Sequence, residues 1–149
     1  MTSREYLHRV WMAPIRIKEL ECEEKAIQED IQQLSATDYS TPRVSGSGNG
    51  HDMADAIAKH MEAMDNVRDE WKRWIKLRME CRAIIMMIDC GRDTDLFQVV
   101  LKYRYLEHLQ WEEIAVKMNY SYRGVTKIHD KALIAFENVF TSVPISSYR

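Results

Sequence analysis

The sequence predicts an all-α protein: an N-terminal helical hairpin or coiled-coil arm over residues 1–91, a bundle of short helices over 92–140 and a tail over 141–149. Three observations predict it. Two long stretches carry apolar residues at alternating three- and four-residue intervals, the spacing of a helix with one apolar seam. A cluster of turn-forming residues separates them, and shorter amphipathic segments follow Gly91.

The first rod runs from about Arg4 to Leu34, with its seam at Val10, Ile17, Leu20, Ile27, Ile31 and Leu34 and one polar interruption at Glu24. Pro14 is placed to kink the rod or to set a leading turn apart from it. Residues 36–51 concentrate Ser, Thr, Gly and Asn and have no periodicity, which predicts a flexible loop, and Asp52 is the expected N-cap of the next helix. The second rod carries Met53, Ile57, His60, Met64, Val67, Trp71, Trp74, Arg78, Cys81, Ile85 and Ile88 on a four-three repeat, the spacing of a coiled coil. Rods of similar length joined by a loop favour an antiparallel hairpin, and pairing between chains fits the same pattern. Gly91 is the expected stop of the second rod. Asp93 or Thr94 then caps a third helix through Tyr105, and two shorter helices follow at Trp111 to Met118 and Tyr122 to about Phe140.

Composition narrows the function. Of 149 residues 46% are hydrophobic and 30% charged, which is globular composition, and the net charge of −2 requires any attraction for nucleic acid to be local. No stretch is long and apolar enough to cross a membrane and no signal-peptide core is expected at the N-terminus, so an intracellular, cytoplasmic protein is expected. Three cysteines, an odd number without metal-ligand spacing, agree with a reducing setting.

Gln110 to Leu133 is the segment that carries chemistry. Ile114, Ala115 and Met118 give a short helix an inner face. Asn119 tolerates the left-handed conformation of a tight turn, and Ser121 is an N-cap for the next helix. Val125, Ile128, Ala132, Ala135, Phe136 and Val139 give that helix its apolar face. Helix, short turn and helix in this order form a helix-turn-helix, whose second helix enters a major groove. On its opposite side Arg123, Lys127 and Lys131 form a basic ridge. Tyr122, Arg123, Thr126 and Lys127 occupy the first turn and a half, where base edges are read, and Lys131 is placed for phosphate. Double-stranded DNA is therefore the expected partner.

The run LKYRYLEHLQWEEIAVKMNYSYRGVTKIHDKAL resembles the region-four helix-turn-helix of sigma factors, and with the rods included the chain resembles phage and prophage late-gene regulators of the RinA and ArpU type. The resemblance implies a phage-encoded activator acting at a promoter with host RNA polymerase in the bacterial cytoplasm, with base-reading positions at Tyr122, Arg123, Thr126 and Lys127. Gln110 stands where Ser or Thr often caps the first helix, and Asn119 where glycine is usual. The chain has no counterpart of the sigma factor's main polymerase-binding segment, which favours a regulator over a complete sigma factor.

The remaining polar and aromatic residues have structural explanations. Trp71, Trp74 and Trp111 are expected to fill helix interfaces. His60 is expected to set register, and Arg78 to reach outward along its stem. Glu112 and Glu113 suit a helix N-terminus. The glycine-rich stretch at residues 45–50 follows no strand, so it is no phosphate loop. No catalytic residue, metal ligand or cofactor is expected. Homodimerisation, a repressing rather than activating role, and a protein-interaction adaptor without DNA binding all remain open.

Overall fold

The structure, a computed structural model, describes residues 1–37 and 49–143, with side chains for 1–36 and 53–143. Among these every regular element is a helix: α1 (Ser3–Thr37), α2 (Asn49–Met86), a 3₁₀ turn (Gly91–Asp93), α3 (Thr94–Leu101), a π-helical turn (Lys102–Leu106), α4 (Trp111–Met118) and α5 (Tyr122–Ser142). The expected loop falls mainly outside the described residues. Asp52 lies inside α2, which begins three residues before it, so it is not the N-cap.

The chain divides into two compact units, one of residues 1–14 with 75–149 and one of residues 15–74. The first draws in the start of α1 and the end of α2 as well as residues 92–140. Its core explains why. Tyr6, Leu7, Val10 and Ala13 of α1 are buried, as are Leu77, Cys81, Ile84 and Ile85 of α2 and Phe97, Val100, Leu101, Ile114, Val125, Ala132 and Phe136 of the short helices. The Tyr6 ring lies 6.3 Å from Phe136 and 5.1 Å from Phe140, and its hydroxyl donates to the Leu77 carbonyl at 3.4 Å. Burial at 77, 81, 84 and 85 is a broad stripe rather than an alternating seam, the signature of a helix packed in a globular core. Pro14 neither breaks α1 nor detaches its first turns.

In the second unit α1 and α2 run antiparallel. Glu24, the interruption in the first seam, accepts from Arg68 Nε at 2.7 Å, and Asp30 lies 3.8 Å from His60. His60 also bonds the Ala56 carbonyl of its own helix through Nδ1 at 2.8 Å. Two helices alone cover little: Ile17, Leu20 and Val67 are buried, whereas Ile27, Ile31, Leu34, Ile57 and Met64 are half-buried. Trp71 is 37% exposed and so does not fill an interface as expected, whereas Trp74 is half-buried like the seam residues around it, its indole donating to Glu70 at 3.3 Å.

The end of α2 and the approach to α3 are held by side chains of Gln98 and Thr94. Helix α2 ends at Met86, five residues before Gly91. The side-chain amide of Gln98 in α3 donates to the carbonyls of Met86 (3.3 Å) and Ile88 (3.1 Å), supplying donors that the end of a helix lacks. Gly91, at φ +67°, opens the 3₁₀ turn instead. Asp89 accepts from the Gly91 amide at 3.2 Å, and Thr94 Oγ1 accepts from the Cys90 amide at 2.7 Å, so Thr94 braces the approach to α3 while Asp93 makes no side-chain cap. Arg78 is half-buried and donates to the Leu106 carbonyl at 2.8 Å rather than reaching outward. That bond ties α2 to the π turn.

Candidate nucleic-acid interface

Gln110 is the N-cap of α4, and its amide donates to Glu113 at 2.7 Å, so the acidic residue expected at this helix terminus holds the chain entry. It stops at Asn119, which sits at φ 57°, ψ 42°. The Tyr120 amide reaches back to Ala115 at 3.0 Å and the Asn119 amide to Val116 at 3.2 Å, the paired bonds of a Schellman stop. A left-handed residue strains any side chain but costs Asn less than most, which is why Asn serves where glycine is usual. Ser121 then caps α5, its hydroxyl accepting from the Gly124 amide at 3.1 Å. Helix, turn and helix thus have the bounds that the residues predict.

The apolar face of α5 packs through Val125, Ala132, Ala135 and Phe136, with Ile128 and Val139 half-buried. One buried position was missed. His129 is buried, with its Nε2 3.0 Å from the Tyr105 hydroxyl and its ring edge-on to Trp111 at 4.7 Å. Burial pushes its pKa down to about 4, opposed by Asp130 and assisted by Arg104. Its place between Val125 and Ala132 at helical spacing was the available signal, obscured because histidine was not counted as apolar.

Opposite this packed face, Ser121, Tyr122, Arg123, Lys127 and Lys131 are exposed, Tyr122 at 51%. Among the described residues none of the three cations is held in an ion pair. Thr126 is half-buried and its hydroxyl donates to the Arg123 carbonyl at 3.1 Å. Asp130, 80% exposed, Ile134, 64% exposed, and Glu137 continue the exposed line, so its cationic part ends at Lys131. Tyr120, 47% exposed, adds a second aromatic beside Tyr122.

Arg104 braces the module from the π turn. Its guanidinium lies 4.0 Å from the Trp11 ring and 4.5 Å from the Trp111 ring, and it donates to the Leu109 carbonyl at 3.0 Å. His108, at φ 60°, stacks on Trp11 at 3.5 Å. Trp111 is consequently half-buried in a cationic–aromatic stack rather than in the apolar core. Neither the pairing of Arg104 with Trp11, some 93 residues earlier, nor the π turn was visible in local pattern.

Among the described residues no helix is long and apolar enough to cross a membrane, and no three His, Cys, Asp or Glu side chains are grouped to hold a metal ion. Comparison with protein-family models, with curated proteins and with solved structures gives no match to this chain.

Proposed function

We propose that the chain is a sequence-specific DNA-binding transcription regulator that reads a major groove with the first turns of α5. The observation that carries this is the pairing of a braced helix with an open cationic face. Ser121, Asn119 and the buried Val125 side fix α5 in place, while Arg123 and Lys127 stand exposed and without ion pairs among the described residues. Arg123 can bond guanine through two donors, Thr126 can offer a hydroxyl or its methyl to a base, Lys127 lies with them on the base-reading turns, and Lys131 suits phosphate. The resemblance of residues 101–133 to sigma region four points to a promoter as target, to RNA polymerase as collaborator and to a phage late-gene activator in a bacterial cytoplasm. The antiparallel helices of residues 15–74 offer a handle for polymerase or for a second copy.

A protein-interaction adaptor is the second reading, favoured by Asp130, Ile134 and Glu137, which repel or ignore phosphate along the same exposed line. Competitive binding to fragments of the source genome separates the two. The Arg123→Ala, Lys127→Ala double variant is expected to keep its fold and lose selection of its preferred fragment; an adaptor shows no fragment preference to lose.

A further inference from the structure

We propose that a cleft walled by Arg4, His8 and Trp11 of α1, Arg104 of the π turn and Trp111 of α4 is a seat for a phosphate group. The cleft has a volume of about 490 Å³ and lies within the first compact unit. Arg4 and His8 are one helical turn apart and both exposed. Of the residues that line the cleft only Asp130 is acidic, and it is not ion-paired to Arg4.

Arg104 is the centre of the seat. A guanidinium has five N–H donors, and among the described residues Arg104 gives one hydrogen bond, to Leu109. Two indoles flank it at 4.0 and 4.5 Å, which restrains the guanidinium before any ligand arrives, and its flat fork of donors suits the oxygens of a phosphate. Partial burial disfavours this cation, and an incoming anion relieves that cost.

The walls argue against a nucleobase as the bound group. Trp11 already engages His108 and Arg104, and Trp111 engages Arg104 and His129, so the indoles are committed to the stack rather than open as stacking platforms. What the cleft offers is cationic and hydrogen-bonding.

The phosphate has two possible sources, a backbone phosphate of bound DNA or a free phosphorylated small molecule. Asp130 stands three residues beyond Lys127, about 4.5 Å of helix rise, so the cleft adjoins the proposed reading surface. The DNA source rests on the function proposed above; the free-ligand source does not.

Two measurements on the full chain, with wild type and the Arg4→Gln, His8→Gln double variant, test the seat. In the first, inorganic phosphate is titrated against chloride at matched ionic strength while the indole N–H signals of all four tryptophans are followed by NMR. The signals of Trp11 and Trp111 are expected to shift saturably and those of Trp71 and Trp74 to stay put, with affinity falling about fivefold or more in the variant. In the second, the salt dependence of binding to the preferred genomic fragment is measured. If DNA supplies the phosphate, the variant binds every fragment about three- to tenfold more weakly and its salt slope is shallower by about one. Phosphate-specific shifts with an unchanged DNA slope, or with no DNA binding at all, support a free phosphorylated ligand and leave the seat standing. Indole signals that respond equally to chloride and phosphate, together with an unchanged DNA slope, overturn it.

Discussion

The Tyr105 hydroxyl and His129 Nε2 share a 3.0 Å hydrogen bond on the side of α5 turned away from Arg123 and Lys127. The bond holds a neutral imidazole inside the module, because burial lowers the His129 pKa from the ordinary 6.5 to about 4. The unfolded chain therefore takes up a proton between pH 6.5 and 4 that the folded chain does not. Stability is fully present above pH 6.5, falls as pH drops through that window and levels off below about 4. The total is on the order of 3 kcal/mol from the pKa difference. Urea midpoints measured from pH 7 to 4 are expected to fall in wild type and to fall less in His129→Gln.

Ser121 supplies the side-chain N-cap of α5, so Ser121→Ala is expected to cost about 1 kcal/mol. A Cβ on Gly124 would sit 3.1 Å from Ser121 Oγ. Gly124→Ala alone should therefore fall short of the roughly 1 kcal/mol that alanine gains over glycine in a helix, and should recover it in the Ser121→Ala background. Paired denaturation curves of the four proteins check the coupling.

At Asn119 the left-handed backbone sets the tolerance. Asn119→Gly is expected to leave the melting temperature unchanged or to raise it. Asn119→Val should lower stability by roughly 1–2 kcal/mol, since a branched side chain at φ 57° is strained. Thermal unfolding by circular dichroism distinguishes the two directions.

Arg104→Lys keeps the charge and loses the flat group between Trp11 and Trp111. Two cation–π contacts at about 0.5–1 kcal/mol each give an expected loss of roughly 1–2 kcal/mol, measurable by urea denaturation at fixed pH.

Local signals were legible and distant ones were not. Ser121, Asn119 and the bounds of α4 could be read directly, because caps and turn residues act within four positions. Thr2 and Glu5 form a reciprocal cap at the start of α1, 2.7 and 3.3 Å, and the Thr-x-x-Glu spacing was there to be seen. The end of α2 could not be read from its own residues, since the donor that satisfies its carbonyls belongs to Gln98. Nor could the membership of α1's first turns in the same unit as α5, which depends on Tyr6 meeting Phe136 and Phe140 across some 130 residues. The exposed cations of α5 were legible as a ridge. The stack behind them was not, because Trp11, Arg104 and Trp111 share no periodicity.

Backbone and side-chain NMR shifts, followed as a preferred genomic DNA fragment is added, test most directly whether α5 faces the groove. The expected changes centre on residues 119–131 and include the Arg123 side chain, with those of Arg123 lost when guanine-containing sites are replaced. Changes confined to residues 15–74, with Arg123 and Lys127 unmoved at saturation, would contradict DNA reading by α5.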